Sequence, residues 1–260
     1  MRKLVMLIGA SRAGTSYVHR SWFDNFRCSE KYFVPTIKEM QYFVKPREIE
    51  KRRALKELHK KRHGSLYQHE IDFINQYIDA KTTQDYINLW PDDKVSFDCT
   101  PNHCIMNPSK IKEIEPIIHS VGFIIRNPFY RDISAVKRLI DYRERYSHID
   151  IKEHINFQRN ISDYDKIIDN WQSICKDRFN VHLFDTIESV DWLNSFNKKL
   201  NIDSIEQLSN FKNESSVKDI PSEFIENIRK YNIEHISKLK CVNNETKEKW
   251  LAEVSANEYA

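Results

Sequence analysis

Apolar residues fall in two rhythms along this chain. Short stretches with apolar residues close together, at about residues 3 to 8, 32 to 36, 94 to 98, 121 to 125 and 180 to 184, read as strands. They alternate with longer stretches in which apolar side chains recur every three or four positions. Behind the first run, Val18, Trp22 and Phe26 share one face of a helix predicted over Tyr17 to Phe26. Behind the fourth, Ile133, Val136, Leu139 and Ile140 keep helical spacing after Pro128, a residue suited to a first helical turn. Trp192, Leu193, Phe196 and Leu200 mark another helix, and Ile220, Pro221, Phe224, Ile228, Tyr231 and Ile236 a last helical stretch. Strands alternating with helices predict an α/β fold with a mostly parallel five-stranded sheet covered on both faces. No Pro/Gly/Ser-rich linker divides the chain, so residues 1–260 read as a single domain. A helical insertion is expected at about 44–93 and a C-terminal helical region at about 186–255.

The junction between the first strand and its helix carries chemistry. Residues 8 to 16 read Ile-Gly-Ala-Ser-Arg-Ala-Gly-Thr-Ser and hold two of the chain's four glycines. Strand, glycine loop and helix form a phosphate cradle, because the first helix amides have no intrahelical partner and the helix dipole favours an anion. Against the nucleoside-triphosphate loop G-x-x-x-x-G-K-[ST], Gly9, Gly14 and Ser16 fit, but Thr15 stands at the lysine position. A triphosphate would lose its main cationic partner there. Arg12 offers a cation at the crest of the loop, with the hydroxyls of Thr15 and Ser16 behind it. An ordinary strand-to-helix turn is the bland alternative.

The second candidate lies at Val121 to Leu139. Arg126 leaves the carboxyl end of the fourth strand, where open parallel sheets bind their ligands, and Ser134 follows about two helical turns on. An arginine fork with a hydroxyl suits a phosphate dianion. It suits a helix cap or a surface ion pair equally well.

Together the two segments resemble the sulfotransferases that use 3'-phosphoadenosine 5'-phosphosulfate (PAPS, desulfated product PAP). In that family P-[RK]-S-G-T-[ST] binds the 5'-phosphosulfate and R-N-P-x-x-R-x-x-S the 3'-phosphate. This chain has S-R-A-G-T-S from Ser11 to Ser16, with Ser11 for proline and Ala13 for serine, and R-N-P-F-Y-R-D-I-S unbroken from Arg126 to Ser134. The resemblance implies a P-loop-like phosphosulfate loop formed by Arg12, Ala13, Gly14, Thr15 and Ser16. It also implies a 3'-phosphate site at Arg126 and Ser134, and Tyr17 where many relatives stack an aromatic ring on adenine. A ligand with less 5' charge than ATP would make sense of the missing lysine.

Softer likenesses follow in order. Lys38, Glu39, Met40, Gln41, Tyr42 and Phe43 resemble the K-E-x-x-[FY]-F segment of glycan-type and bacterial sulfotransferases, whose glutamate acts as base toward the acceptor hydroxyl. Asp98, Cys99, Thr100 and Pro101 resemble their [ED]-x-[ST]-P segment, with Cys99 where a lysine is often found. The activity implied is in-line transfer of a sulfuryl group from PAPS to a hydroxyl acceptor, a glycan or a small molecule. Like phosphoryl transfer, it leaves the protein to position groups and stabilise charge. Arg12 and the amides at Gly14 to Ser16 would stabilise the leaving oxygen, and Glu39 would take the acceptor's proton. His103 is the second candidate base, since imidazole titrates near neutrality, and Lys38 a candidate to neutralise the sulfuryl group. Each also has a structural alternative: a helix-start glutamate, a packed histidine, a solvated lysine. The transferred group carries less charge than a phosphoryl group, so no metal is demanded, and the sequence has no metal-ligand constellation.

Composition narrows the setting. A formal net charge of only +3 gives no global case for nucleic acid. Five cysteines, odd in number and unclustered, suit free thiols in a reducing, cytoplasmic compartment. The apolar part of Met1 to Ala10 is short and leads straight into the loop, so it reads as a strand and not a signal peptide. No stretch approaches the ~20 apolar residues of a membrane span. The basic run Lys45 to His63 suits a solvated helix with four-apart ion pairs, or an arm that draws in an acidic acceptor. Two rivals share parts of the pattern: a P-loop kinase of small molecules, which wants a lysine at Thr15, and a non-catalytic PAP or nucleotide sensor, which leaves Glu39 idle. Acceptor identity and oligomeric state are not written in any motif.

Overall fold

Six consecutive residues from Leu4 to Gly9 are buried, which makes the first strand, β1 (Lys3–Gly9), the middle of the sheet. A computed structural model of the chain describes residues 1–40, 42–43, 68–141, 150–184, 189–210 and 220–256. After β1 come α1 (Thr15–Phe26), the edge strand β2 (Tyr32–Phe33), α2 (Gln68–Asp79), α3 (Thr83–Asn88) and β3 (Val95–Asp98). Next are a 3-10 turn at Pro101–Ile105, α4 (Pro108–Ile114), β4 (Ile118–Ile125), α5 (Pro128–Asp141), α6 (Ile151–Ser162), α7 (Tyr164–Cys175) and β5 (Phe179–Leu183). The chain closes with α8 (Val190–Lys199), α9 (Ser222–Lys238) and α10 (Asn244–Ala256).

The strands form one five-stranded sheet in the order β2-β3-β1-β4-β5, and every pairing is parallel. Met6 pairs with Asp98, the last residue of β3, and Gly9 with Phe123 of β4, so the carboxyl ends of the three central strands share one edge of the sheet, β1 running past the end of β3 and β4 past the end of β1. From β1 the chain goes first to the edge strand β2, returns to β3 between the two, and then crosses to the other side for β4 and β5. That reversal places a crevice beyond the carboxyl ends of β1 and β4, where open α/β sheets bind ligands. The α/β architecture expected from the alternating pattern is therefore the one observed.

Successive side chains of a strand point to opposite faces, and β4 uses this to hold helices on both. Gly122 faces α8, whose Phe196 stacks against Trp22 of α1 with ring centroids 6.4 Å apart, and the Trp22 indole N–H donates to Asn197 Oδ1 at 2.9 Å. Trp22 and Phe26 also pack on Phe97 of β3, which explains their four-residue spacing. Phe123, one residue on, meets Tyr164 of α7 edge to face at 5.8 Å. The Trp171 indole on the same helix donates to the Cys104 carbonyl at 3.1 Å.

Two differences from the sequence pattern matter for function. The run at 32 to 36 pairs only at Tyr32 and Phe33. Pro35 has no N–H for a ladder, and the chain from Val34 onward leaves the sheet, held by His19 Nε2 against the Pro35 carbonyl at 3.0 Å and by Thr36 Oγ1 donating to Glu70 Oε1 at 2.6 Å. The first helix begins at Thr15, two residues before the predicted start at Tyr17, because Gly14 in the left-handed region (φ 75°) starts it from the loop. Of the expected helical insertion, α2 and α3 are described. The basic run Lys45 to His63 lies outside the described residues. Among the described residues, no helix is long and apolar enough to cross a membrane. All five cysteines are unpaired, with Cys99, Cys104 and Cys175 buried and Cys28 exposed.

A side chain on Gly122 would run into the Phe196 ring, with Leu200 Cδ1 3.4 Å away. Gly122→Ala is therefore expected to cost about 1 to 3 kcal/mol by overpacking, read as a lower urea midpoint at unchanged m-value.

Candidate active site

Three segments converge at the carboxyl edge of the sheet. The first is the loop from Ala10 to Gly14. Its entry is pinned by the Ala10 amide donating to the Ile124 carbonyl at 2.6 Å, and it closes with the Ala13 amide on the Ala10 carbonyl at 3.1 Å. Arg12 lies in the left-handed region (φ 67°), a conformation that costs a residue with a Cβ about 1 to 3 kcal/mol and persists only where the surroundings impose it. Gly14, the N-cap of α1, contributes no side-chain cap, so the first helix amides at Thr15 and Ser16 have no intrahelical carbonyl and face the loop. Ala13 and Thr15 are buried beneath this turn, while Ser16 and Tyr17 are partly exposed on the first turn of α1.

The second segment follows β4, and its residues divide the labour. Asn127 caps α5, its side-chain oxygen accepting from the Phe129 amide at 3.1 Å while its amide group donates to Glu253 Oε2 at 2.9 Å. Pro128 begins the helix. Arg126 stays at the crevice: it donates to the Arg12 carbonyl at 3.1 Å and its guanidinium lies over the Phe184 ring, 4.9 Å from the centroid. Two turns along α5, Ser134 Oγ accepts from Arg12 Nε at 3.0 Å. The two segments are thus joined through Arg12, whose backbone meets Arg126 and whose side chain meets Ser134. Burial lowers the pKa of Arg12, and the nearby guanidinium of Arg138 lowers it further, with Arg126 acting in the same sense and Glu39 and Asp141 opposing.

Arg131, in the same stretch, is wholly buried. It donates to Gln158 Oε1 at 2.7 Å and to the Gln158 carbonyl at 2.8 Å, and also bonds Asp132 and Ser162. Asp132 in turn accepts from Asn232 Nδ2 of α9 at 3.0 Å. Burial pushes the Asp132 carboxyl up, and Arg131 pulls it back. Gln158 Oε1 also accepts from Ser11 Oγ at 3.4 Å, so this network reaches the phosphate-type loop.

The third segment carries Lys38 and Glu39. Lys38 Nζ donates to Glu39 Oε1 at 2.5 Å, and the Glu39 side chain is 44% exposed to solvent. Glu39 is also left-handed (φ 63°), its amide donating to the Cys99 carbonyl at 3.0 Å. Beneath it sit Asp98, Thr100 and His103, all buried. His103 Nδ1 is 3.4 Å from Asp98 Oδ2, the Phe43 ring lies 5.6 Å away, and neither ring nitrogen makes a hydrogen bond among the described residues. Burial lowers the His103 pKa, with the Asp98 carboxylate countering it. Burial also pushes the Cys99 thiol well up and the Cys104 thiol to about 12.

Arg12, Arg126, Ser134 and the start of α1 are therefore brought together, with Glu39 and Lys38 on the neighbouring loop. His103 is placed in the core below them. The motif reading missed two contributors. Arg138 stands four residues after Ser134, hence on the same helical face, and that spacing was the available signal. Gln158 carried no signal, because only tertiary contact joins it to Ser11 and Arg131.

No protein-family profile and no curated protein sequence matches this chain. Among solved structures it is similar to a sulfotransferase from Alicyclobacillus acidocaldarius, at 14% identity and a TM-score of 0.57, over 98% of this chain and 96% of that one. It is also similar to the sulfotransferase domain from the curacin biosynthetic pathway, at 10% identity and a TM-score of 0.50, over 99% of each chain. At such identities the likeness establishes a shared fold along the full length.

Removing the guanidinium of Arg131 would strand the Asp132 carboxylate and several buried acceptors. Arg131→Ala is expected to lower stability by about 3 to 5 kcal/mol, measured by chemical denaturation.

Proposed function

We propose that this protein is a sulfotransferase that moves the sulfuryl group of PAPS to a hydroxyl acceptor, a glycan or a small molecule. The observation that carries the reading is the junction at Arg12, which ties the loop before α1 to Arg126 and Ser134 at one crevice. The fold shared with two sulfotransferase structures supports it.

The donor set fits the ligand. Helix amides, the Thr15 and Ser16 hydroxyls and Arg12 suit a phosphosulfate, with Ala13 and Gly14 shaping the loop. Arg126 and Ser134 suit a terminal phosphate, and Tyr17 offers a ring for the base. PAPS, when bound, supplies the sulfuryl group for transfer. Arg12 and the amides of α1 hold preorganised positive charge toward the anion, an interaction worth roughly 3 to 4 kcal/mol per strong donor in comparable sites. Arg138 adds to that field. Glu39, exposed and paired with Lys38, takes the acceptor's proton, and Lys38 offers positive charge toward the sulfuryl group. His103, with no exposed surface, is assigned to packing around Asp98 in preference to proton transfer. No step in this scheme requires a metal.

Two variants test the roles. Arg126→Ala is expected to weaken PAP binding by about 1.5 to 3 kcal/mol, seen as a smaller PAP-induced rise in melting temperature. Unchanged PAP binding would remove Arg126 from the site. Glu39→Gln is expected to keep PAP binding and to lose on the order of 100- to 10,000-fold in sulfate transfer from labelled PAPS across a glycan, phenol and metabolite panel. A wild-type protein stabilised by Mg-ATP and indifferent to PAP and PAPS would be a kinase; one that binds PAP without any transfer would be a sensor.

A further inference from the structure

The loop that bears Glu39 has no regular secondary structure, yet its backbone is held at three successive groups. The Glu39 amide donates to the Cys99 carbonyl at 3.0 Å, and the Met40 amide donates to Thr100 Oγ1 at 3.1 Å. The Met40 carbonyl accepts from the Tyr77 hydroxyl. Thr100 is itself fixed, since its hydroxyl donates to Asp98 Oδ1 at 2.6 Å, and Asp98 Oδ2 accepts from the Tyr86 hydroxyl at 2.5 Å. Asp98 and Thr100 are each 1% exposed, so water cannot replace either partner.

This arrangement has a direction. Asp98 ends β3 in register with Met6 of β1, so its carboxylate is anchored to the rigid centre of the sheet. A hydroxyl that donates to a carboxylate becomes a better acceptor at its oxygen, and Thr100 spends that on the amide immediately after the left-handed residue. Glu39 has no glycine's freedom at φ 63°, so the conformation depends on what grips its two flanking amides.

We infer that Asp98 and Thr100 form a latch that sets the backbone of Glu39, making Thr100 a positioning residue for the base. The inference rests on the sulfotransferase reading for its catalytic consequence, while the latch itself is independent of that reading. It also accounts for the D-x-T-P pattern after β3: the aspartate anchors, the threonine relays, and Pro101 turns the chain away.

The test compares wild type, Thr100→Val and Thr100→Ser in the full-length protein by two measurements. Hydrogen exchange of the Glu39 and Met40 amides should be roughly tenfold faster in Thr100→Val and near wild type in Thr100→Ser, with exchange in β1 and β4 unchanged. Turnover with PAPS should fall in Thr100→Val by up to about 100-fold in kcat, the scale expected for a displaced catalytic group, with PAP affinity and donor KM retained and with rescue in Thr100→Ser. Equal amide exchange in wild type and Thr100→Val overturns the latch. Faster exchange with undiminished kcat, or loss of PAP binding in step with kcat, overturns the positioning role. If Thr100→Val does not fold, Tyr86→Phe, which removes only the phenol hydroxyl on Asp98, carries the same comparison in milder form. A wild type that neither binds PAP nor turns over PAPS defeats the sulfotransferase reading, and the exchange data then decide the latch alone.

Discussion

A guanidinium with no access to water is the constraint around which this site is organised. Arg131 donates to Asp132 of α5 and to Gln158 and Ser162 of α6, and Asn232 of α9 donates in turn to Asp132. Leaving a buried charge unpaired costs several kcal/mol, so these elements cannot shift independently. Since Gln158 also meets Ser11, the loop between β1 and α1 is referenced to the same node. Both walls of the crevice are thereby set against one fixed charge.

The crevice itself works against stability. Burial, and then the guanidinium of Arg138, lowers the Arg12 pKa, with Arg126 acting in the same sense, and Arg12 also carries a left-handed backbone. Such cost is characteristic of sites where structure serves binding more than folding. Glu39, also left-handed, repeats the pattern on the facing loop. The two conformationally costly residues at the crevice are the two with the central chemical assignments, and both are held by hydrogen bonds from neighbouring elements.

Much of this was readable in the chain. The apolar runs predict the central strands β1 and β4 because strands covered on both faces bury nearly every residue, and Val18, Trp22 and Phe26 predict α1 because that helix packs its apolar face on the sheet. The R-N-P-F-Y-R-D-I-S stretch was legible as a unit, but its parts were not: Arg126 and Ser134 turn to the crevice while Asn127 caps and Arg131 is buried, a division set by helix phase and tertiary contact. The run at 32 to 36 misled in length, since Val34 to Thr36 are apolar or β-branched yet leave the ladder at a proline. His103 looked chemical because of its residue type, and only burial reveals its packing surroundings. Gln158 could not be read at all, as nothing local distinguishes it.

The cysteines lead to a different property of the fold. Burial holds Cys99 and Cys104 as neutral thiols, whereas reaction with alkylating reagents and oxidants proceeds through the thiolate. Cys28, on the surface, is open to such reagents in the folded protein. The molecule therefore carries its own gauge of local opening: modification at Cys99 and Cys104 tracks excursions of the chain under the Glu39 loop, with Cys28 as the internal standard.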